Sequence, residues 1–240
     1  MKLSLLLNEL SEKEVSGDVD VEVTGIATDS RKVQKGFLFI AIAGNREDGH
    51  RYVEHAVRQG ATAVVGEAVQ PISGVASVGV PNSRLAAAFL AEGFYDHPSR
   101  RLKMIGITGT NGKSSTLYLI RSVLDAAGIF SSGIGTIGYS IGGKTEAAIN
   151  TTPGPIELSA AIKRAVDAEH THFVMEVSSH ALHQYRVEAI DFAIGVYTNL
   201  SLDHLDYHVS MDEYFNAKRH LFELLARNPQ AECAVISADD

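Results

Sequence analysis

Cysteine is scarce in this 240-residue chain, which has only Cys233. A lone cysteine excludes an internal disulfide and suits a reducing compartment. Long apolar runs are also missing, and none approaches the ~20 residues that a membrane-spanning helix needs. The leucine-rich start is too short for a signal peptide and leads straight into acidic residues. We therefore expect a cytoplasmic protein without a membrane partner, in which Leu3, Leu6, Leu7 and Leu10 form one face of a short helix.

Positive charge is also in short supply. The chain has 21 lysines and arginines against 29 acidic residues, and its formal net charge is -8. Such a balance argues against a nucleic-acid-binding surface. The remaining composition, 45% hydrophobic and 21% charged, is that of a globular protein. The length allows for about two domains.

A glycine-rich turn between an apolar strand and a helix is the main motif present. It reads IGITGTNGKSST over residues 105–116, and Leu117, Ile120, Val123 and Leu124 follow at helical spacing. This context is typical of a phosphate-binding loop, although the strict pattern requires glycine where Ile107 stands. The alternative is a glycine-rich turn that binds nothing.

The loop residues suit an anion because of their backbone freedom and their position. Gly109 and Gly112 let several N–H groups point at one phosphate, and the start of the helix adds partial positive charge. Lys113 is expected to reach the terminal phosphates, and the Ser114 hydroxyl is expected to bind magnesium.

Alternating strand and helix patterns predict an α/β protein with a mostly parallel sheet. We expect a small N-terminal α/β domain over 1–97 and a phosphate-loop domain over 102–240, joined by a polar linker at 97–101. Residues 19–23 alternate as in a strand, and 131–143 suggest a hairpin. Ser210 and Glu213 form a capping box for a helix that continues to about Arg227. Because the chain stops just after a predicted strand, the second domain is expected to be incomplete.

Acidic residues and histidines at strand ends are candidate metal ligands. Glu176 ends an apolar run, where a carboxylate can hold magnesium or be a solvated strand end. The polar cluster at 203–208 follows another strand. His204 and His208 allow a zinc site by spacing, and a plain surface loop is also open, but we favour His204 as a ligand of a second divalent ion.

Lys218 stands among apolar side chains on a predicted helix, with Tyr214, Phe215, Leu221 and Phe222 three or four positions away. If buried, its amine is neutral more often and can take up carbon dioxide to give a metal-binding carbamate. The alternative is a lysine whose alkyl chain is buried while its ammonium group stays in solvent.

With these segments together, the sequence resembles the Mur ligases, and among them the MurE type. The resemblance covers essentially the whole chain and depends on DSR at 29–31 with GFLF at 36–39, the loop at 109–115, NTTP at 150–153, MEVSSHAL at 175–182 with Gln184 and Arg186, TNL at 198–200 with DHLD at 203–206, and Lys218 with its apolar neighbours.

The resemblance implies roles for individual residues. ATP would be held by Gly109, Thr110, Asn111, Gly112, Lys113, Ser114 and Ser115. The UDP end of the substrate would be held by Thr28, Ser30, Asn45, Arg46 and Glu47, and its muramoyl-dipeptide by Asn150, Thr151, Thr152, Ser178, Gln184 and Arg186. Magnesium would be bound by Ser114, Glu176, His204 and carbamylated Lys218, and catalysis would depend on Lys113, Lys218 and His204.

The implied reaction is an ATP-dependent ligation in peptidoglycan synthesis. It joins the third amino acid, diaminopimelate or lysine, to UDP-N-acetylmuramoyl-L-alanyl-D-glutamate through an acyl phosphate. The resemblance also implies a C-terminal domain that is absent here, so the chain by itself is expected to be inactive. Another Mur or folylpolyglutamate-type ligase, or a nucleotide-binding module without ligase chemistry, remains open as an alternative.

Overall fold

The computed structural model describes residues 1–44 and 47–238. The chain divides into two compact units, Met1–Asp96 and His97–Asp240. Each unit has its own sheet, and each is described by itself below. In the described residues, no helix is both long enough and apolar enough to cross a membrane.

The first unit is a five-stranded sheet with helices. Its elements are α1 (Leu3–Leu6), β1 (Glu14–Ser16), β2 (Gly25–Ala27), β3 (Phe37–Ile40), α2 (Val53–Arg58), β4 (Ala63–Gly66), β5 (Ala76–Gly79) and α3 (Ser83–Phe94). The strand order is β1-β5-β4-β3-β2, and only β1 runs antiparallel to its neighbour. Short 3₁₀ turns at Leu7–Glu9, Ser30–Lys32 and Gly49–Tyr52 complete this unit.

The leucine face predicted at the N-terminus is confirmed, since all four leucines are buried. The strand predicted at 19–23 is wrong. The carbonyls of Val21 and Val19 accept hydrogen bonds from the N–H groups of Leu3 and Ser4, at 2.9 and 3.0 Å. The first N–H groups of a helix have no partner within the helix, and here this extended segment supplies two acceptors.

The second unit contains a seven-stranded sheet. Its elements are β6 (Lys103–Thr108), α4 (Lys113–Ala126), β7 (Ser131–Gly135), β8 (Gly138–Ile141), β9 (Lys144–Glu146), α5 (Pro155–Asp167), β10 (His172–Glu176), α6 (Ser179–His183), β11 (Phe192–Tyr197), α7 (Leu205–His208), α8 (Met211–Arg227) and β12 (Cys233–Ile236). The strand order is β12-β11-β6-β10-β7-β8-β9.

The first five strands in that order are parallel, and β8 and β9 are antiparallel additions. The predicted mostly parallel α/β fold and the hairpin are therefore confirmed. On one face, residues of α5 and α8 pack in the main core; on the other, α4 packs through Leu117 with Ile120 and Leu124. Val123 does not belong to this face, because it is 69% exposed. This arrangement brings the carboxyl ends of β6, β10 and β11 to one edge.

Two further predictions concern the ends of elements. Within the predicted linker at 97–101, Pro98–Arg101 form a 3₁₀ helix in which Pro98 and Ser99 are buried. The cap of α8 is confirmed: the Ser210 hydroxyl accepts a hydrogen bond from the Glu213 N–H at 3.2 Å, and the helix ends at Arg227.

Candidate active site

The phosphate loop, residues 109–115, connects β6 to α4 through two glycines in left-handed conformations. Gly109 has φ +142°, and a Cβ there would lie 1.9 Å from the Thr198 hydroxyl oxygen. Gly112 has φ +84° and is the N-cap of α4, so no side chain caps the first amides of that helix. Exposed Ser115 lies in the first turn. Uncapped amides at a helix start are a site for an anion.

The loop is held by the residues that follow β11. Asn111 is fixed from both sides, because its N–H donates to the Asn199 side-chain oxygen at 2.9 Å and its carbonyl accepts from Thr198 Oγ1 at 2.6 Å. Thr110 donates its N–H to the Asn199 carbonyl at 2.8 Å, and its hydroxyl accepts from the Ser201 N–H at 3.0 Å. The Asn199 amide and Thr198 hydroxyl therefore preorganise the loop.

Two lysine side chains converge on one carbonyl of the loop. Lys113 Nζ donates to the carbonyls of Gly109 and Thr110, both at 2.8 Å. Lys218 Nζ donates to the same Gly109 carbonyl at 2.7 Å. Burial lowers the pKa of Lys113. Two amine groups therefore lie at the loop, although the chain as a whole is acidic.

Lys218 does not lead its charge to solvent, since it is only 1% exposed. Its amine lies 4.3 Å from the ring centroid of Tyr214, which is also buried, as is Leu221. Of the other expected neighbours, Phe222 is partly buried and Phe215 is 43% exposed. Burial first, and the nearby Lys113 charge second, lower the pKa of Lys218 to about 7. A large fraction of this amine is thus neutral at neutral pH.

Ser114 and Glu176 meet at the edge of the sheet. The Ser114 hydroxyl donates to Glu176 Oε1 at 2.8 Å, and Glu176 is 1% exposed. Thr136, after β7, donates its N–H to the same oxygen at 2.9 Å and its hydroxyl to Oε2 at 3.1 Å. A hydroxyl and a buried carboxylate beside a phosphate loop are the oxygen ligands that magnesium prefers.

His204 lies beside the lysine site, with its ring centroid 5.9 Å from that of Tyr214. Its backbone is left-handed, its N–H donates to Asp203 Oδ1 at 2.8 Å, and its side chain is 46% exposed. His208 is instead buried, bonded to the Ser179 hydroxyl at 2.9 Å, and burial lowers its pKa to about 4. Among the described residues no three His, Cys, Asp or Glu side chains form a metal-binding group, so the zinc alternative has no ligand set there.

A second polar group surrounds Arg186. Its guanidinium donates to Gln184 Oε1 through Nη2 at 2.6 Å and Nε at 3.1 Å, and through Nη1 to the Thr152 carbonyl at 2.9 Å. The Gln184 amide donates to the Tyr207 hydroxyl at 2.9 Å, which also bonds His183 Nδ1 at 2.9 Å. Tyr207 therefore fixes which end of the amide faces the arginine.

The remaining residues predicted for the muramoyl-dipeptide lie around Thr152. Its hydroxyl donates to the Glu176 carbonyl at 2.9 Å, and it accepts from the Ser178 N–H at 3.1 Å. The Ser178 hydroxyl caps α6. Thr151 bonds the Thr136 hydroxyl at 3.0 Å, and the Asn150 carbonyl accepts from the Tyr139 hydroxyl at 2.6 Å. Backbone and side-chain contacts thus connect this group to the carboxylate that bonds Ser114.

The predicted residues of the first unit line a cleft of about 590 Å³. Its walls include Thr28, Ser30 and Glu47, together with Arg31 and Tyr52. Arg31 is paired with Asp29 at 2.8 Å, and hydrogen bonds from that arginine lower the pKa of Asp29 to about 2. The predictions for Asn45 and Arg46 lie outside the described residues.

The sequence predicted most of the site residues that the second unit places at one edge of its sheet. Four residues that position them were not among the predicted site residues. These are Thr136, Thr198, Asn199 and Tyr207. A signal existed for three of them, because Thr198 and Asn199 belong to the TNL segment that follows β11, and Thr136 lies within the predicted hairpin, directly after β7. Tyr207 gave no such signal, since its role depends on where α7 packs.

The site combines an anion cradle, a hydroxyl bonded to a buried carboxylate, and a buried amine of lowered pKa. The first can hold phosphates, the second can hold a divalent cation, and the third can react with carbon dioxide or bind an anion. Together these groups are suited to moving a phosphoryl group, because they neutralise charge on its oxygens.

Comparison with known proteins gives consistent matches. The model of the Mur ligase middle domain matches residues 107–240, more than half of the chain, and that of the Mur ligase family catalytic domain matches residues 22–95. A UDP-N-acetylmuramoyl-L-alanyl-D-glutamate--2,6-diaminopimelate ligase from Geobacillus thermodenitrificans is 44% identical over 244 residues, covering 100% of this chain and 50% of the relative.

Solved structures agree with this. A structure of a UDP-N-acetylmuramoyl-L-alanyl-D-glutamate--2,6-diaminopimelate ligase is 28% identical with a TM-score of 0.80, covering 98% of this chain and 47% of the other. A MurF ligase from Thermotoga maritima in complex with ADP shares the fold, at 20% identity and a TM-score of 0.56, covering 90% of this chain and 46% of the other. The chain spans about half the length of the relatives it matches.

Proposed function

Because the chain belongs to the Mur ligase family, we propose that it is the nucleotide- and substrate-binding part of a MurE-type ligase. The proposed reaction joins an amino acid to UDP-N-acetylmuramoyl-L-alanyl-D-glutamate in the cytoplasm, with ATP as the phosphoryl donor. Diaminopimelate is the amino acid that the relatives' names give. The observation that carries the proposal is the buried Lys218 amine on the Gly109 carbonyl, next to the Ser114–Glu176 pair.

The two units have separate proposed roles. Residues 1–97 bind the UDP end, with Thr28, Ser30 and Glu47 in the cleft of the first unit, and Asn45 and Arg46 as further candidates. Residues 102–240 bind ATP through the phosphate loop. The fixed Arg186 guanidinium, with Gln184, Thr152, Ser178, Asn150 and Thr151, binds the muramoyl-dipeptide. Arginine suits a carboxylate because its planar donors match two oxygens at once.

Magnesium fits the residues present, since Ser114 and Glu176 already bring a hydroxyl and a carboxylate together beside the loop. When bound, the ion would offset negative charge on the phosphoryl oxygens. His204 and carbamylated Lys218 are the proposed residues for a second ion. Carbamylation joins the neutral Lys218 nitrogen to the carbon of carbon dioxide and releases one N–H proton to solvent, which converts a neutral amine into an anion.

The proposed reaction has two chemical steps. The D-glutamyl side-chain carboxylate of the substrate attacks the γ-phosphorus of ATP, which forms an acyl phosphate and releases ADP. Lys113 leaves the Gly109 and Thr110 carbonyls to neutralise the phosphoryl oxygens. The amine of the incoming amino acid then attacks the acyl carbon, the amide bond forms, and phosphate leaves with the proton lost from the amine. Phosphorylation supplies the leaving group that a carboxylate lacks.

The proposal is tested with a polypeptide of the relatives' full length that carries this chain. We expect ADP release that requires both the UDP-muramoyl-dipeptide and diaminopimelate. Lys218→Ala should lower turnover by at least about 100-fold while leaving nucleotide affinity within about threefold, because the carbamylated lysine is proposed to hold the second ion and not the nucleotide. Wild-type polypeptide that forms no ADP with both substrates would refute the ligase assignment, and full turnover in the variant would refute the role of Lys218.

A further inference from the structure

Thr108 has a buried hydroxyl without a partner. It is the last residue of β6 and is 0% exposed, and in the described part of the chain its Oγ1 makes no hydrogen bond. Other hydroxyls of the loop region have partners of their own, since Thr198 Oγ1 donates to the Asn111 carbonyl and the Tyr214 hydroxyl bonds Thr110 Oγ1 at 3.2 Å. Buried polar groups are nearly always paired, so an unpaired one at this position calls for an explanation.

Thr108 lies on the face of β6 that packs against α8, the helix that carries Lys218. Successive side chains of a strand alternate between its faces. A Cβ on Gly106 would approach Leu221 to 3.0 Å, so this face of β6 packs against α8, and Thr108 lies two residues further on the same face. Lys218 precedes Leu221 by one helical turn, and its amine reaches the Gly109 carbonyl, the next residue after Thr108.

The protonated and the carbamylated form of Lys218 need different hydrogen-bonding partners. A protonated amine offers only donors, whereas a carbamate offers two acceptor oxygens and retains one N–H. That N–H can keep its bond to the Gly109 carbonyl, so the new oxygens are the groups that need donors. A threonine hydroxyl is such a donor, and a hydrogen bond to an anion is stronger than one between neutral groups.

We infer that Thr108 is a positioning residue whose hydroxyl donates a hydrogen bond to the carbamate formed on Lys218. This inference rests on the proposed function, in which Lys218 is carbamylated, and adds the residue that orients and stabilises the modified side chain. The hydroxyl is unpaired in the unmodified chain and becomes paired when carbon dioxide adds. Thr108 thus favours carbamylation without contacting either substrate.

The test is carbon-13 NMR of the folded chain titrated with labelled bicarbonate. Lys218→Met identifies the carbamate resonance by its loss. Thr108→Val, which keeps the shape and removes the hydroxyl, should raise the bicarbonate concentration for half-modification at least about tenfold. Thr108→Ser, which keeps the hydroxyl, should stay within about threefold of wild type. In buffer free of carbon dioxide, Thr108→Val should melt at the wild-type temperature or above it, because an unpaired hydroxyl is removed.

The outcomes separate the inference from the proposed function. If Thr108→Val is carbamylated as readily as wild type, the inference is overturned and the role of Lys218 stands. If the wild-type chain shows no Lys218 carbamate at all, the inference about Thr108 and the proposed carbamylation of Lys218 are both overturned, whereas the ligase assignment is decided by the ADP-release experiment. If Thr108→Val does not fold, Thr108→Ala is compared with Thr108→Ser in the same titration, and equal carbamylation of these two would also overturn the inference.

Discussion

Gly109 shows how one residue links the strand to the loop. Its backbone conformation is one that residues with a side chain rarely adopt, and it lies close to Thr198. Thr198 in turn holds Asn111 by a hydrogen bond to its carbonyl. Gly112 has a left-handed backbone too, but a Cβ there would meet Thr198 only at 3.9 Å, an ordinary contact distance. The two glycines are therefore required for different reasons, the first for space and conformation, the second for conformation alone.

Alanine substitution separates these two reasons. Gly109→Ala should lower the free energy of unfolding by roughly 3 kcal/mol or more, because strain and a steric clash add. Gly112→Ala is the matched control and should lose only about 1–2 kcal/mol, the cost of a left-handed alanine. Urea unfolding of both variants measures the difference. Equal losses would show that the approach to Thr198 is not a constraint.

At the level of elements, α8 is fastened to the segment before β11 by a small charged cluster. Glu188 accepts hydrogen bonds from His220 Nε2 at 2.6 Å and Arg227 Nη1 at 2.7 Å. His220 Nδ1 bonds Glu223 at 2.8 Å. The bond to Glu188 raises the pKa of His220 above its ordinary value of 6.5. Because α8 also carries Lys218, this cluster helps to fix the helix that delivers the amine.

The cluster predicts a pH-dependent contribution to stability. A raised histidine pKa means that the stabilisation is fully present below pH 6.5 and is lost as the pH rises through the higher pKa of the folded state. His220→Gln should cost about 1–2 kcal/mol at about pH 6 and clearly less at about pH 9. Denaturant unfolding at both pH values measures this.

Arg219→Gln provides the control for that experiment. Arg219 lies one residue away on the same helix and pairs with the same Glu223 at 3.1 Å, but both side chains are well exposed. Its loss should cost only about 0.3–0.5 kcal/mol at either pH, as is typical of exposed pairs on a helix. A cost for His220→Gln that does not change with pH would contradict the charged state assigned to His220.

Helices and strands could be predicted from the sequence wherever the signal is a local pattern of residues. Periodicity and capping predicted α8 with an end at about Arg227, where the helix does end, and alternating strands and helices predicted the parallel sheet. The strand expected at 19–23 failed because valine alternation reports burial and β-propensity, not which partner the backbone finds. The burial of Lys218 could not be decided from its helix either, since it depends on β6 and the loop lying over that face.

At the scale of the whole molecule, the groups that can bind an anion are concentrated at the phosphate loop. The chain is acidic overall, yet the Lys113 amine lies at the phosphate loop, and the start of α4 adds positive potential there. Net charge therefore indicates which partners the whole surface disfavours and gives no indication of what the loop binds. The second unit has its own sheet and contains every residue proposed to contact ATP.

The most direct measurement is isothermal titration calorimetry of the folded chain with ATP and magnesium. Wild-type chain should bind the nucleotide, and Lys113→Ala should weaken binding at least about tenfold through loss of a charge-assisted bond to phosphate. Lys103→Ala is the matched control at the opposite end of β6, where Lys103 pairs with Glu232 at 2.7 Å, and it should bind as wild type does. A correctly folded wild-type chain that takes up no ATP would contradict the account.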